Sequence, residues 1–448
     1  MEFPQKPVSG VVGRADTRVR RRAAGPPRGA GGSGGAMIRS LRSRNFRLFF
    51  FGQGVSLIGT WMQGVATPWL VYRLTGSVIL LGVVGFAGQI LTFVTAPVAG
   101  VIADRLDRRR LVTVAQVLAT AQALALAILT LAGIIEVWHI VALALFGGLV
   151  RGFEIPMRQA FLVEMLEDRS DLPNAIAINS FLVNGARLVG PSLAGITIAL
   201  VGEGWCFLLN AISFVAVIGA LAAMRIPRRH IRPPTTDLLG GLAEGVRYAA
   251  GSPPIRSVLL LLCLVSLMGV PYVVLMPVFA KDILHGNAYT MGFMMAAVGI
   301  GAVAGALFLA TRQSTARIGR TIAIAAAVFG AGLVALSFSR SFWLSLPILV
   351  CVGAGMMTQM ASSNTLLQTI TDEDKRGRIM SFYTMAFMGM GPFGSLLAGS
   401  LAHWVGAPYT VLVGGVATLA GAAALARALG RIDGRPPAVE IGPPDVAA

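Results

Sequence analysis

Apolar segments of about 18 residues or more recur along most of the chain, and short segments that carry most of the charge separate them. A helix of that length crosses the hydrocarbon core of a bilayer, which is about 30 Å thick. Only 13% of the residues are charged, roughly half of the 25% that is usual in soluble domains. The sequence therefore predicts an all-α integral membrane protein that crosses the bilayer many times.

Twelve spans account for the apolar segments. The predicted spans are 46–72, 77–102, 111–134, 138–160, 174–202, 205–224, 256–284, 289–311, 321–339, 342–368, 377–403 and 407–427. Because Lys and Arg in short loops stay on the cytoplasmic side, we place both termini in the cytoplasm. The outer loops then hold only Arg73, Lys281 and Arg340 of the 37 basic residues. The net charge of +17 therefore reflects topology and contact with the lipid bilayer, and we expect no nucleic-acid partner.

The longest predicted internal loop divides the spans into two sets of six. We expect an N-terminal half at 37–225, a cytoplasmic central loop at 226–255, a C-terminal half at 256–430 and a cytoplasmic tail at 431–448. Residues 1–36 are rich in Arg, Gly and Pro, which predicts a disordered basic tail upstream of a second candidate start at Met37.

Short matches relate the two halves. "PVAGV" at 97–101 resembles "AVAGA" at 302–306, and "VGPSLAG" in span 5 resembles "MGPFGSLLAG" in span 11. The offsets are nearly equal and the matches fall at corresponding spans. This pattern indicates duplication, and parallel six-span halves around a central cavity are typical of one large class of transporters.

The loop "GVIADRLDRRR" at 100–110 places an acid at the membrane boundary, which is costly unless the acid is paired. It resembles the signature loop of the major facilitator superfamily, G-x-x-x-D-R-x-G-R-R-x, with Asp107 in place of the second glycine. The resemblance implies a gate latch in which the acid contacts the start of span 11. The latch residues would be Gly100, Asp104, Arg105, Arg108 and Arg109. A loop that is basic for reasons of topology alone is the alternative.

Span 5 carries a second signature, "ARLVGPSLAG" at 186–195. It resembles the pattern that marks exporters of the superfamily, and the matched positions are Ala186, Gly190, Pro191 and Gly195. Proline removes a backbone donor and weakens the helix, and glycine permits close packing of helices. The alternative is an ordinary kinked membrane helix.

Longer segments at 59–77, 155–195 and 202–214 are similar to the transmembrane secretion effector family, an enterobactin exporter-like branch of the drug:proton antiporters. The resemblance implies the major facilitator fold, with twelve helices in two pseudo-symmetric halves, and location in the bacterial inner membrane. It also implies export of small amphipathic molecules, of the drug or siderophore type, by proton antiport with alternating access. A proton-coupled importer and a transport-inactive membrane sensor or assembly protein remain open alternatives.

Charged residues within the spans are candidates for proton coupling. Arg187 lies near the middle of span 5, and Arg151 and Glu154 lie three residues apart on one face of span 4. A carboxylate beside an arginine could alternate between paired and protonated states. The alternative is a purely structural role, with Glu154 paired to Arg151 or to loop arginines.

Polar residues recur at helical spacing on spans 1 and 10. In the superfamily these spans line the cavity, which makes the polar faces candidates for substrate contact. The candidates are Gln53, Thr60, Gln63, Thr358 and Ser362. Hydrogen bonds between helices are the alternative.

Enzyme motifs are missing from the sequence, including the P-loop and G-x-S-x-G. Cys206, Cys263 and Cys351 lie in apolar segments, where we expect them to be buried, and their spacing fits neither a disulfide framework nor a metal site. We therefore expect no enzymatic activity, cofactor or metal. The expected partners are a small-molecule substrate, protons and lipid, and we expect a monomer.

Overall fold

The computed structural model describes residues 39–103, 107–166, 168–224, 246–311, 318–373 and 375–433. The predicted N-terminal tail, most of the central loop and nearly all of the C-terminal tail lie outside these ranges. The described residues form helices joined by short turns. The prediction of an all-α fold is therefore confirmed.

Twelve long helical segments follow one another in the described part of the chain, numbered here in chain order. They are α1 Arg44–Thr75, α2 Val78–Ala103, α3 Arg108–Leu131, α4 Val137–Leu162, α5 Leu172–Val201, α6 Glu203–Ala223, α7 Pro253–Ile283, α8 Ala288–Ala310, α9 Ile318–Phe338, α10 Phe342–Ile370, α11 Arg376–Val405 and α12 Ala407–Asp433.

Eleven of these helices, α2 to α12, contain segments that are long and apolar enough to cross a membrane. The first helix has 32 residues, which is ample length, but polar side chains and glycines interrupt its apolar sequence. Length and composition thus support eleven of the predicted spans, and the crossing by α1 stays a prediction.

Packing within each predicted half is extensive. In the first half, α1 packs against α5 and α6, α3 against α4 and α6, and α2 against α4. In the second half, α8 packs against α10, and α9 packs against α10 and α12. The large buried side chains include Phe207 and Phe329, which are fully buried in the first and second halves respectively.

Corresponding turns in the two halves share a glycine conformation. Gly202 joins α5 to α6 with a φ of 93°, and Gly406 joins α11 to α12 with a φ of 86°. A side chain is strained at such a φ, so glycine is favoured at both turns. These equivalent turns accord with the internal repeat that the sequence indicates.

Two helices depart from regular α-geometry. In α7, π-helical turns at Val265–Gly269 and Phe279–Ile283 flank a 3₁₀ segment at Val270–Leu275. In α11, Met385–Gly389 is π-helical. Such turns are frequent at functional sites, and both helices contact the opposite half.

One prediction about the cysteines is wrong. Cys206 is buried and Cys263 is half-buried, but Cys351 is exposed on the surface of α10. An apolar sequence does not distinguish a face that packs against protein from one that faces lipid, and Cys351 lies on an outward face.

Candidate transport site

The two halves contact each other near one end of the bundle. Gly82, near the start of α2, faces Gly399, near the end of α11, and a Cβ at Gly82 would lie 3.0 Å from Gly399 Cα. Gly195 of α5 and Gly292 of α8 are paired in the same way, with 3.0 Å from a Cβ at Gly195 to Gly292 Cα. Small residues let helix backbones approach closely. Two equivalent glycine contacts therefore hold the halves together at this end, which is the outer end in the predicted topology.

Polar side chains at the same end also join the halves. The Tyr72 hydroxyl of α1 donates a hydrogen bond to the Asp282 carboxylate of α7. Lys281 Nζ lies 5.6 Å from the centre of the Tyr72 ring. Arg73 Nε lies 2.6 Å from Glu203 Oε1, but that pair joins α1 to α6 within the first half. The sequence predicts Arg73 and Lys281 only as charges of the outer loops, and no motif indicates these contacts.

The exporter-signature residues of α5 lie at helix contacts. Ala186 is buried, and a Cβ at Gly190 would lie 2.4 Å from the Trp61 Cβ of α1. The Pro191 carbonyl oxygen and Gly195 both approach Gly292 of α8. The signature thus lies where α5 contacts both its own half and the opposite one.

Arg187 lies within that signature segment, where its described contact is with an aromatic ring. Its guanidinium carbon is 5.1 Å from the centre of the Trp61 ring. Its Nε is buried without a hydrogen-bond partner among the described residues. In the second half, the buried hydroxyl of Tyr272 likewise lacks a partner in the described part of the chain.

Glu154 and Arg151 have different partners. Glu154 Oε1 accepts a hydrogen bond from Arg158 Nε, one turn further along α4, at 2.7 Å. Gln116 Nε2 of α3 lies 3.5 Å from the same oxygen. Arg151 instead donates to the Gly88 carbonyl oxygen of α2 at 2.7 Å. The structure therefore places Glu154 in an ion pair with Arg158, whereas the structural alternative stated above pairs it with Arg151 or with loop arginines.

The polar residues of α1 differ in their hydrogen-bond partners. Gln63 Nε2 donates to Gln122 Oε1 of α3 at 3.0 Å, and Asn210 Nδ2 of α6 donates to Gln63 Oε1 at 2.7 Å. The Thr60 hydroxyl donates to the Ser56 carbonyl oxygen within α1. Gln53 is buried, and its Oε1 lacks a partner among the described residues. Gln63 therefore joins three helices of the first half.

The candidate residues of α10 are buried. Thr358 is 7% exposed and Ser362 is 0% exposed. A Cβ at Gly305 of α8 would lie 2.8 Å from the Thr358 hydroxyl oxygen, so Thr358 faces α8. The Ser362 hydroxyl lacks a hydrogen-bond partner in the described part of the chain. A role of these residues in the cavity stays a prediction.

The described part of the candidate latch interacts within the first half. Arg108 forms an ion pair with Glu164 at 2.8 Å, and Arg109 donates to the Ala222 carbonyl oxygen at 3.1 Å. The Asp107 side chain accepts a hydrogen bond from the Arg110 backbone N–H and caps α3. Asp104 and Arg105 lie outside the described residues, and Gly100 belongs to the backbone of α2. The latch contact therefore stays a prediction.

A family model described as "Transmembrane secretion effector" matches residues 36–434. The chain belongs to this family. The family is part of the major facilitator superfamily, so the resemblance that the sequence motifs indicate is confirmed. The protein is therefore a multi-pass membrane transporter and not an enzyme.

Curated relatives match this transmembrane secretion effector over most of their length. The multidrug efflux pump Tap of Mycolicibacterium fortuitum is 26% identical, over 78% of this chain and 87% of Tap. The staphyloferrin A transporter of Staphylococcus aureus is 25% identical, over 83% and 93% respectively. The enterobactin exporter EntS of Shigella boydii is 27% identical, over 80% of this chain and 85% of EntS.

Solved structures share the fold. The POT family transporter PepTSo matches with a TM-score of 0.69 and 13% identity, over 87% of this chain and 98% of PepTSo. A bacterial homologue of the human lysosomal transporter Spinster matches with a TM-score of 0.69 and 12% identity, over 89% and 99% respectively. At this level of identity the likeness concerns the arrangement of the helices alone.

Proposed function

We propose that this transmembrane secretion effector exports small amphipathic molecules across the bacterial inner membrane by proton antiport with alternating access. The observation that carries the proposal is the paired glycine contact between the halves at one end of the bundle. Drug and siderophore transport by the relatives supports the substrate class. We further propose a monomer with both termini in the cytoplasm.

The position of the glycine contacts supports alternating access. In the proposed topology they lie at the outer end, and we infer a state in which that end is closed. Helices that touch through their backbones, without large interlocking side chains, can move apart without rearrangement of side chains. Proteins of this kind switch between two discrete packings of the same helices. The latch of Gly100, Asp104, Arg105, Arg108 and Arg109 would act at the opposite end, by favouring closure there.

The Glu154–Arg158 pair is the proposed point of proton coupling. Both side chains are 14% exposed, so protons can reach the pair while most of its surface is shielded. Protonation of Glu154 would cancel its charge and release Arg158 and Gln116 from the carboxylate. Such a change shifts a two-state protein toward the conformation that tolerates the separated groups. Arg151, whose guanidinium contacts α2, would sense the same change through its proximity to Glu154.

The test uses inverted membrane vesicles with an imposed pH gradient, acid inside, followed with a quenched dye. Lipophilic drugs and catecholate siderophores are added one at a time to wild type, Glu154→Gln and the matched control Glu136→Gln. Glu136 is a carboxylate in the turn before α4 and contacts Trp138. We expect substrate-dependent proton release in wild type and in the Glu136 variant, and its loss in Glu154→Gln.

Each result assigns a role. Release that persists in Glu154→Gln would leave antiport standing and remove Glu154 from the coupling step. Proton release in wild type that requires substrate on the opposite side of the membrane would indicate import. The wild type could also show no proton release with any compound of the panel, although the protein is shown to be present in the vesicles. That result would contradict export of these substrate classes.

A further inference from the structure

Arg187 of α5 and Tyr272 of α7 each have a buried donor atom that lacks a hydrogen-bond partner among the described residues, and the Arg187 guanidinium lies over the ring of Trp61. We propose that Arg187, Trp61 and Tyr272 form a binding site for the carboxylate of an amphipathic organic anion. The inference rests on the proposed transport function and specifies the charge of the substrate at that site.

Arg187 carries a positive charge in a membrane-embedded helix, and no acidic side chain among the described residues pairs with it. Its contact is with the face of Trp61, 5.1 Å from the ring centre, and its Nε has no acceptor among the described residues. The Tyr272 hydroxyl of the opposite half interacts electrostatically with this guanidinium. Ionisable residues within membrane spans are costly and generally face partners, water or a substrate pathway. An anionic ligand would supply the acceptor that this guanidinium lacks.

Tyr272 provides the second donor from the opposite half. Its ring is fixed by an edge-to-face contact with Phe329, at 6.2 Å between centroids. The residue is 2% exposed, and its hydroxyl has no partner among the described residues. A buried hydroxyl without a hydrogen bond costs free energy that a ligand oxygen would recover.

The chemistry of the cluster favours a carboxylate over a cation or a neutral group. Guanidinium and phenol hydroxyl both donate hydrogen bonds, and the planar guanidinium matches the geometry of a carboxylate. A cationic ligand would be repelled by Arg187. The indole of Trp61 offers an apolar surface beside the charge, which suits an anion with an attached aromatic or aliphatic portion.

The site would also connect the halves. Arg187 lies on α5 and Trp61 on α1 in the first half, whereas Tyr272 lies on the irregular α7 of the second half. A carboxylate held by both donors bridges the halves close to the contact that must open for release. Ligand binding would thus favour one packing of the halves over the other.

Binding is tested with purified full-length protein and three probes of the same shape: naphthalene-1-acetate, the neutral naphthalene-1-acetamide and the cationic 2-(1-naphthyl)ethylammonium ion. The readouts are equilibrium dialysis and the shift of the unfolding midpoint with probe concentration. The variants are Arg187→Gln, Arg187→Lys and Tyr272→Phe, with Arg320→Gln as a control. Arg320 is exposed at the start of α9, so its loss removes a positive charge far from the site.

We expect the carboxylate to bind at least about tenfold more tightly than the amide or the amine, a difference of about 1.4 kcal/mol. We expect Arg187→Gln and Tyr272→Phe each to abolish this preference, Arg187→Lys to weaken it and Arg320→Gln to keep it. Tyr272→Phe keeps the buried ring, so it tests the hydroxyl even if Arg187→Gln fails to fold.

Equal binding of all three probes, or a carboxylate preference that survives in Tyr272→Phe, would overturn the proposed site. Drug-dependent proton release that continues unchanged in such a case would show that export stands while the anion site fails. Conversely, selective carboxylate binding in a protein that moves no protons would support the site and contradict the antiport mechanism.

Discussion

Gln63 contacts two other helices through its side-chain amide, accepting from Asn210 and donating to Gln122. An amide that uses both its oxygen and its nitrogen in this way stabilises the packing of α1, α3 and α6. It also has less capacity left to bind a substrate, because each donor or acceptor that is engaged must first be released. At this position the structure therefore favours the interhelical role over the cavity role.

A double-mutant cycle with Gln63→Met and Asn210→Ala measures the interaction. We expect a coupling free energy of about 0.6 kcal/mol, with an upper bound of about 1.7 kcal/mol, as for other polar contacts between membrane helices. The measurement is reversible unfolding in mixed micelles. If Gln63→Met loses export while the change in its unfolding free energy and the coupling free energy are both near zero, the structural role is contradicted. Gln63 would then act as a substrate contact in the cavity.

Residue types within the spans could be predicted from the sequence, but their partners could not. Charges buried in a membrane span are costly, so the sequence predicts that each one has a specific partner or function. This prediction applies to Glu154, Arg151 and Arg187. The pairing of Glu154 with Arg158, and of Arg151 with the Gly88 carbonyl, depends on rotamers and neighbouring helices. Arg158 lies four residues after Glu154, so helical spacing alone indicates that the two side chains can pair.

Between α2 and α11 the closest approach is backbone to backbone. A Cβ at Gly82 would lie 2.8 Å from the Ser395 carbonyl oxygen, a contact that a side chain cannot relieve by rotating. At the level of whole helices, this glycine therefore permits closure of one end. Gly219 of α6 provides a matched contrast, because nothing lies within 4 Å of a Cβ at that position.

We predict that Gly82→Val holds the halves apart at this end, whereas Gly219→Val has little effect. The measurement is labelling of Gln89→Cys by a membrane-impermeant maleimide in intact cells, in a chain whose native cysteines have been replaced. Gln89 is exposed on α2, below the glycine contact. We expect labelling to rise in Gly82→Val. Labelling that is equal in both glycine variants would contradict the role of Gly82 in closure.

Helix positions follow closely from hydropathy, and their irregularities do not. Span 2 was predicted at 77–102, and α2 runs over Val78–Ala103. Span 12 was predicted to end at 427, but α12 continues to Asp433, since backbone hydrogen bonds extend a helix beyond the apolar core of the membrane. The π-helical turns of α7 and α11 arise where these helices pack against neighbours, and sequence spacing carries no signal for them.

Across the whole molecule, two kinds of contact hold the halves together at the same end. The glycine pairs give close packing between α2 and α11 and between α5 and α8, and the Tyr72–Asp282 hydrogen bond joins α1 to α7. Packing of backbones is insensitive to charge, whereas a hydrogen bond to a carboxylate is directional and can be removed singly. The hydrogen bond is therefore the better place to measure how far the closed arrangement is favoured.

We predict that Tyr72→Phe shifts the molecule toward the arrangement in which this end is open. Hydrogen bonds to charged groups contribute about 1.5 kcal/mol at the lower end of their range, so the ratio of open to closed molecules should rise roughly tenfold. The phenylalanine ring keeps its place beside Lys281, and only the hydroxyl is lost. Distances between spin labels at Ser77 and Ser341, one in each half at this end, report the two populations in a cysteine-free chain.

The matched control is Arg73→Gln, one residue further along α1. Arg73 pairs with Glu203 inside the first half, so its loss removes an ion pair at the same end without touching the contact between halves. We expect its distance distribution to match that of wild type. An equal shift in both variants would mean that the distances report loosening of α1, and an unchanged distribution in Tyr72→Phe would mean that the glycine contacts alone determine closure.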